Sequence, residues 1–186
     1  MTRRWNEKKK TIRHYDQTAK VYDERYAKEQ NTKITATLEH LHPADTTLVL
    51  DAGCGTGLLF SHIADKTKQT VGIDTSKNLL EQAKNKAKTR TNIHLVQADV
   101  DHAPFKNKTF TTTFALTLLQ NMPNPENTLN EIKRITQPKG TIIITGLKKK
   151  FSLKNFVQLL KNVHLKILLI KTDEKLKDHI AICRKH

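Results

Sequence analysis

The stretch Asp51-Ala52-Gly53-Cys54-Gly55-Thr56-Gly57 decides the fold of this chain. It holds three of the six glycines, follows the apolar run at residues 47–50 and precedes a helix-like segment at residues 58–64. Glycine permits a tight turn and a close approach of the backbone to a ligand, and a helix N-terminus offers unpaired N–H groups. A buried strand that ends in such a turn and leads into a helix therefore predicts a ligand site.

The loop fits two well-known phosphate-binding patterns poorly. The dinucleotide fingerprint G-x-G-x-x-G has its third glycine where this chain has Leu58, and a P-loop needs a lysine that Thr56-Gly57-Leu58 does not supply. An acid, Asp51, instead ends the strand directly before the turn. This arrangement suits a ligand that carries an ammonium group.

The D-x-G-x-G-x-G run resembles motif I of the class I S-adenosylmethionine (SAM) methyltransferases. The resemblance implies that SAM is the cofactor, that Asp51 faces its methionine end and that the loop backbone passes beneath it. The alternative is a glycine-rich structural turn. The cofactor-binding residues implied by this motif are Asp51, Gly53, Cys54, Gly55 and Gly57.

Two further acids follow predicted strands. Residues 69–74 end in Asp74, 23 positions after Asp51, and residues 93–99 end in Asp99. A carboxylate at the first of these positions can accept hydrogen bonds from both ribose hydroxyls. The resemblance implies that Asp74 binds the ribose, that Asp99 meets the exocyclic amino group of the adenine, and that Val100 contacts the ring. Each acid alone would more simply be a helix cap or a turn residue, but three in this order favour a bound cofactor.

The segment before the glycine loop is predicted to be helical. Residues 11–26 and 29–41 indicate two helices, and residues 15–23 resemble the lid segment of methyltransferases related to quinone-biosynthesis enzymes. Tyr15 and Tyr22 are seven residues apart and so share one helix face, from which they would close over SAM. Ordinary packing of an N-terminal helix is the alternative. Residues 1–10 are predicted to be a loosely ordered basic arm, and residues 11–186 one methyltransferase domain that begins with these helices and the lid at 11–42.

Strand-like and helix-like segments alternate from residue 47 onward, which indicates a doubly wound α/β sheet. The resemblance implies seven strands, mostly parallel, with helices on both faces and a final antiparallel pair. A turn at Pro138-Lys139-Gly140 is expected to introduce the fifth strand. The further strands are expected at residues 110–118, 140–145, 164–171 and 179–184, and the helices at 76–89, 125–135 and 152–162.

The methyl acceptor is expected after the fourth strand, because ligands of doubly wound sheets lie outside the strand carboxyl ends. The chain reads Gln120-Asn121-Met122-Pro123 there. This partly resembles the Asn/Asp-Pro-Pro-Tyr/Phe motif of enzymes that methylate exocyclic base or glutamine nitrogens, but it lacks the aromatic residue that would stack on a base. The amide oxygen of Asn121 or Gln120 would accept from a substrate amino group. Alternatively, Asn121 caps the loop before Pro125.

Positive charge is concentrated at the two ends of the chain. The net charge is +15; residues 1–13 carry six Lys or Arg against one acid, and residues 139–186 carry twelve against three. Basic ends around a nearly neutral centre indicate a polyanionic partner, of which RNA is the commonest. Lysines outnumber arginines 26 to 7, so a compositional bias that favours solubility is the alternative.

Further sequence features point to the cytoplasm. No apolar run reaches the 18 residues of a membrane span, and the N-terminus has no apolar stretch after its charges that would indicate a secretory signal. Cys54 and Cys183 are the only cysteines. We expect them to be free thiols in a reducing compartment, with neither a metal nor a disulfide implied.

The sequence therefore predicts a SAM-dependent methyltransferase whose acceptor is a base nitrogen of rRNA or tRNA. A short connection after the fifth strand indicates an open acceptor pocket, which favours a large substrate. The alternatives are a quinone-type small-molecule methyltransferase, a protein methyltransferase and a non-catalytic SAM-binding factor associated with RNA. The sequence leaves open whether a helper subunit takes part.

Overall fold

The computed structural model describes residues 3–41 and 48–185. Residues 1 and 2 of the predicted arm, residue 42 of the predicted lid region, residue 47 of the predicted first strand and residue 186 lie outside the described residues. Within the described ranges, no helix has both the length and the apolar character needed to cross a membrane.

A seven-stranded sheet with the order β3-β2-β1-β4-β5-β7-β6 forms the centre of the described structure. Strands β1 to β5 are parallel, and β7 lies antiparallel between β5 and β6. This sheet confirms the predicted fold class, including the final antiparallel pair. The strands are β1 (Leu48–Ala52), β2 (Gln69–Asp74), β3 (Ile93–Gln97), β4 (Phe110–Ala115), β5 (Thr136–Leu147), β6 (Lys166–Lys171) and β7 (Asp178–Arg184).

Helices cover both faces of the sheet. Successive strand residues point to opposite faces, so on β1 Val49 packs in a cluster with Ile34, whereas Leu50 packs in a cluster with Leu129 and Phe156. Helices α1, α2 and α3 therefore lie on one face, and α4 and α5 on the other. Their bounds are α1 (Arg3–Leu38), α2 (Phe60–Ile63), α3 (Lys77–Ala87), α4 (Pro125–Ile135) and α5 (Leu153–Asn162).

Local capping signals set the starts of three helices. Ser76, Asn124 and Ser152 each accept a hydrogen bond from the backbone N–H three residues further on, and Pro125 occupies the first turn of α4. These side chains satisfy backbone donors that a helix start leaves unpaired, and proline has no N–H to lose there. The helices predicted at these three places are confirmed.

The N-terminal region differs from the prediction. One continuous helix, α1, replaces the two predicted helices, and residues 3–10 are its first turns, so the prediction of a loosely ordered arm is wrong for them. The chain contains neither glycine nor proline before Pro43, and therefore nothing in this stretch interrupts a helix. Lys8, in the first turns of α1, also donates hydrogen bonds to the carboxylates of Asp99 and Asp101.

The fifth strand is longer than predicted. Phe110 pairs with Thr136 and Thr112 pairs with Thr141, so β5 carries extra residues between these two pairs. The predicted turn at Pro138-Lys139-Gly140 is this irregularity inside β5, where Lys139 adopts a φ of 61°. A bulge replaces the turn because the backbone resumes pairing with β4 on both sides of it.

Candidate active site

A cavity lies beyond the carboxyl edge of the parallel strands, where the sheet order changes direction between β1 and β4. Doubly wound sheets bind ligands at this switch point, because the loops on either side diverge there. Side chains of α1 cover the cavity, among them Lys8, Tyr15 and Tyr22. The sheet side of its wall includes Asp51, Gly53, Cys54, Gly55, Asp74, Asp99, Val100, Thr117 and Asn121.

The glycine loop forms the floor of the cavity. Gly53, Gly55 and Gly57 all have positive φ angles, of 75°, 54° and 75°, which L-residues with side chains rarely adopt. Gly57 does not line the cavity; a Cβ atom there would lie 2.4 Å from the ring of Phe60. Of the predicted loop residues, Gly53, Cys54 and Gly55 therefore line the cavity, whereas Gly57 allows the loop to pack on α2.

Asp51 is a buried carboxylate that faces the cavity. Its side chain belongs to the fourth residue of β1, and the residue is only 3% exposed. Burial, together with the negative charge of Asp74, raises the pKa of Asp51 to about 7. No described residue donates a hydrogen bond to this carboxylate, and such a buried polar group is costly unless it finds a partner. Asp51 therefore fits a ligand that brings its own positive charge.

Asp74 is held in place by the backbone around it. It is the last residue of β2, and its two oxygens accept hydrogen bonds from the N–H groups of Gly55 and Ser76, each at 2.9 Å. Burial raises the pKa of Asp74, and these hydrogen bonds partly offset that effect. Each carboxylate oxygen can accept more than one hydrogen bond, so Asp74 can still receive hydroxyl groups from a ligand.

Asp99 follows β3, which ends two residues earlier at Gln97. Its carboxylate caps the short turn Val100–His102 by accepting a hydrogen bond from the N–H of Asp101. Both of its oxygens also accept hydrogen bonds from Lys8 Nζ, at 2.7 and 2.6 Å. The same ammonium lies 2.5 Å from Asp101. Asp99 and Val100, which were predicted to contact the adenine, both line the cavity, and the ammonium group of Lys8 balances the charge of Asp99.

Tyr15 and Tyr22 lie next to each other in the cavity wall, with their ring centroids 6.1 Å apart. Burial is the main reason why the pKa of each hydroxyl is raised, so both are neutral at physiological pH. The structure thus places the two predicted lid residues over the cavity.

Two acids of α1 fix the helix to the opposite wall. Asp16 accepts a hydrogen bond of 2.6 Å from the hydroxyl of Ser76, at the start of α3. Asp23 accepts one of 2.5 Å from Thr56 in the glycine loop and also pairs with Lys86. These contacts join α1 to the loops that surround the cavity.

Of the two residues predicted to bind the methyl acceptor, only one lines the cavity. Asn121 lines the cavity, and its amide nitrogen donates to the hydroxyl of Tyr15 and to the carbonyl of Thr117, both at 3.0 Å. The amide oxygen, which was predicted to accept from a substrate, receives no hydrogen bond from the described residues. Gln120 is not part of the cavity wall, and its buried Oε1 has no described partner. Only Asn121 is therefore placed to meet an acceptor.

Sequence reasoning missed a buried polar network beside the cavity. Lys33 Nζ lies 2.7 Å from Asp178 and donates to the Thr117 hydroxyl at 2.8 Å, and that hydroxyl donates to Gln30 at 2.9 Å. Thr117 has a φ of 57°, which is unusual for a β-branched residue and has no signature in the sequence. Lys8 could have been found, because it lies seven residues before Tyr15 and so shares the helix face of the two tyrosines.

The two cysteines are free and buried. Burial raises the pKa of Cys54 well above its usual value and that of Cys183 to about 12, so neither is a thiolate at neutral pH. Since the thiolate is the nucleophilic form, Cys54 lines the cavity as an apolar group. Within the described ranges, His, Cys, Asp and Glu side chains form no group that could hold a metal ion.

The sequence of this chain is similar to those of known proteins. A family profile described as a methyltransferase domain matches residues 50–144. Uncharacterized protein MJ1252 of Methanocaldococcus jannaschii is 32% identical over 132 residues, which cover 71% of this chain and 49% of the relative. Demethylmenaquinone methyltransferase of Staphylococcus saprophyticus is 35% identical over 97 residues, or 50% of this chain and 42% of the relative. The chain thus spans about half the length of the curated relatives it matches.

A solved structure shows the same fold. A SAM-dependent methyltransferase from Aquifex aeolicus superimposes with a TM-score of 0.74 at 16% sequence identity, over 82% of this chain and 89% of that one. At this identity the likeness concerns the fold alone.

Proposed function

This chain belongs to the methyltransferase domain family, whose class I members use SAM, and from that membership we propose that it transfers a methyl group from SAM to an acceptor at the carboxyl edge of the sheet. The observation that carries the proposal is Asp51, a buried carboxylate that faces the cavity beside a glycine loop and has no hydrogen-bond donor among the described residues. SAM carries both an ammonium and a sulfonium charge, which fits an acidic cavity of this kind.

The cavity residues have distinct proposed roles toward the cofactor. Asp51 holds the ammonium group, Asp74 accepts the ribose hydroxyls, and Asp99 with Val100 contacts the adenine. When bound, SAM supplies a methyl group that is already activated for displacement, so the protein contributes alignment and the exclusion of water rather than proton transfer. Helix α1 excludes water because its tyrosines cover the cavity.

We propose RNA as the acceptor, with a base nitrogen of rRNA or tRNA as the target. Support comes from a one-sided distribution of charge: residues 132–172 contain ten Lys or Arg and no Asp or Glu. A general bias toward lysine adds cations everywhere, but it does not remove acids from 41 consecutive residues. Lys149 and Lys150 are exposed directly after β5, at the carboxyl edge where the cavity lies. Asn121 would accept from the amino group of the target base through its free amide oxygen.

Labelled SAM distinguishes the acceptor classes. The protein is incubated with methyl-tritiated SAM and, in parallel, total RNA, soluble protein and a lipid extract. We expect label in RNA, and we expect it to fall steeply with added salt because phosphate contacts are salt-sensitive. Asp74→Ala is the inactive control. Label in protein or lipid alone would refute the RNA acceptor but retain methyl transfer. An absence of label from every fraction, with SAM still bound, would instead favour a non-catalytic SAM-binding factor.

A small-molecule acceptor of the quinone type is the second candidate. The match to demethylmenaquinone methyltransferase confirms the predicted resemblance to that subgroup. The cavity also has an apolar side, formed by residues such as Ile12, Ile34, Leu116 and Met122, which suits an apolar ring. If the wild-type protein transfers label to the lipid fraction and none to RNA, this candidate is supported.

We place this activity in the cytoplasm. Both thiols are free and buried, as in proteins of reducing compartments. The location of the protein fused to a fluorescent reporter tests this placement.

A further inference from the structure

A second group of cations lies at the amino edge of the sheet, opposite the cofactor cavity. Lys108 precedes β4, Lys133 is in the last turn of α4, Lys139 is in the bulge of β5 and Lys166 begins β6. We call these residues, together with Arg184 and Lys185 at the end of β7, the amino-edge cluster. Strands rise about 3.3 Å per residue, so strands of six residues separate this cluster from the cavity by about 20 Å.

Backbone hydrogen bonds bring the members of the amino-edge cluster together. The N–H of Lys139 donates to the carbonyl of Lys185 at 3.0 Å, and the N–H of Lys185 donates to the carbonyl of Gly140 at 3.0 Å. Lys108 donates in the same way to Arg134, at the end of α4. Four of the six residues are exposed, and Lys133 and Lys185 are half-buried.

The amino-edge cluster has no acidic partner in the described structure. None of the ion pairs formed by described residues includes one of its six side chains. Lys133 and Lys185 each donate to one backbone carbonyl, at 2.6 Å, and an ammonium group has three donors. Both therefore retain donors for a further ligand.

Like charges also face each other in the amino-edge cluster. Lys166 lies directly opposite Arg184 on the paired strands β6 and β7, an arrangement that destabilises a sheet when both residues are charged. Burial and the positive charges of Lys108 and Lys133 lower the pKa of Lys185. Cations held together at an energetic cost, with no ion pair to a described acid, suit a ligand that supplies the counter-charge.

We propose that the amino-edge cluster is a phosphate-binding surface for the backbone of the RNA substrate, separate from the catalytic edge. This inference rests on the proposed RNA acceptor and adds where that RNA is held. The RNA would extend from the cavity along the part of the domain that contains the acid-free stretch at residues 132–172, and it would contact the cluster through several phosphates. The cluster would then raise the affinity for RNA without reading its sequence.

The surroundings of the cluster favour RNA over a membrane. Membrane-surface binding needs apolar side chains that enter the lipid next to the cations. The loops that carry the cluster instead present polar residues such as Asn107, Thr109 and Gln137. Of the large hydrophobic residues that are exposed in the described structure, Leu168 on β6 is the nearest in sequence to the cluster, two residues beyond Lys166, and one such side chain offers little apolar area to enter a lipid.

The test compares two variants that lose the same charge. One variant combines Lys108→Gln, Lys133→Gln, Lys139→Gln and Lys185→Gln. The matched control combines Lys66→Gln, Lys68→Gln, Lys84→Gln and Lys88→Gln, four exposed lysines on the β2–α3 side of the molecule. Fluorescence anisotropy with labelled total tRNA gives the affinity of each at several salt concentrations, and calorimetry with SAM verifies the fold and the cofactor site. The milder Lys108→Gln/Lys139→Gln variant, which removes no described side-chain hydrogen bond, replaces the first if SAM binding is lost.

We expect the amino-edge variant to bind RNA on the order of tenfold to a hundredfold more weakly at low salt. The slope of log affinity against log salt concentration should be shallower by about 2 to 4, because each lysine accounts for about one released counterion. The milder variant should show about half of both effects. The control should stay within about threefold of wild type, and both should bind SAM normally. Equal losses in both four-lysine variants would overturn the proposal while leaving RNA as the acceptor. Wild-type protein that binds anionic phosphatidylglycerol vesicles but no RNA would refute the proposed acceptor as well.

Discussion

Asp51 and Asp74 illustrate how two neighbouring carboxylates acquire different tasks from their surroundings. Asp74 receives two backbone N–H groups, which fix its position in the loop. Asp51 receives none from the described residues, and burial raises its pKa to about 7. We therefore expect the charge of Asp51 to depend on whether a ligand is bound, whereas the charge of Asp74 is held in a fixed position by the loop.

The pKa of Asp51 makes SAM affinity depend on pH. The carboxylate that attracts an ammonium group predominates only above pH 7, so we expect the affinity for SAM to rise between pH 6 and pH 8. Calorimetric titrations across this range test the trend. Asp51→Asn should bind weakly and without this dependence; the same rise in the variant would assign it to another group.

The same pKa has the opposite effect on the stability of the free protein. A carboxyl group with an unfolded pKa near 3.9 and a folded pKa near 7 binds more protons when folded, so its contribution is present below about pH 4 and is lost as pH rises through 7. Asp51→Asn should therefore stabilise the free protein at pH 8, by roughly 1–4 kcal/mol in denaturant unfolding. A less stable variant at pH 8 would contradict the burial of an ionisable group here.

Asp74 is the residue whose loss should harm cofactor binding most. Asp74→Ala removes the ribose acceptor and leaves two loop N–H groups unpaired, so we expect an affinity for SAM at least about a hundredfold lower. Asp65→Ala is the control, since Asp65 is an exposed aspartate whose one ion pair among the described residues is with Arg90. Unchanged calorimetric affinity of Asp74→Ala would show that the ribose lies elsewhere.

At the scale of elements, α1 is the part of the structure that connects the cavity to the rest of the domain. It covers the cavity with its tyrosines and reaches the start of β7 through Lys33, whose side chain is 2% exposed and pairs with the fully buried Asp178. Removing one partner of a buried ion pair leaves an uncompensated charge, which is far more costly than losing a surface pair.

Lys33→Met should accordingly lower the melting temperature by about 6–20 °C, from a loss of about 3–5 kcal/mol. Lys171→Met, which breaks the pair with the exposed Glu39, should change stability by less than about 1 kcal/mol. The double variant Lys33→Met/Asp178→Leu should recover much of the loss. Equal melting temperatures for Lys33→Met and Lys171→Met would mean that the buried pair does not anchor α1.

The elements with local signals were predictable, and those set by distant contacts were not. Ser76, Asn124 and Ser152 mark helix starts through their own side chains, so the sequence was enough to find α3, α4 and α5. The pairing of Lys8 with acids about 90 residues away, and the positive φ of Thr117, involve residues distant in the sequence. No local pattern reports either feature.

At the scale of the whole molecule, the sheet has the proposed cofactor cavity at its carboxyl edge and the amino-edge cluster of cations at the opposite edge. The acids at the ends of β1 and β2 and after β3 were predictable because parallel strands bring their carboxyl ends to one edge. By contrast, the sequence showed the positive charge only as an excess of Lys and Arg near the two ends of the chain. Folding brings residues 108 and 133 next to 139, 166, 184 and 185 at the opposite edge, and it takes Lys8 away from any phosphate by pairing it with Asp99 and Asp101.

The crystal structure of this protein with S-adenosylhomocysteine tests the central claim most directly. The account predicts the ligand in the cavity over the carboxyl edge, with its ammonium group toward Asp51, its ribose hydroxyls on Asp74 and its adenine beside Asp99 and Val100. Ligand density at another place, or an unoccupied cavity at saturating ligand, would contradict it.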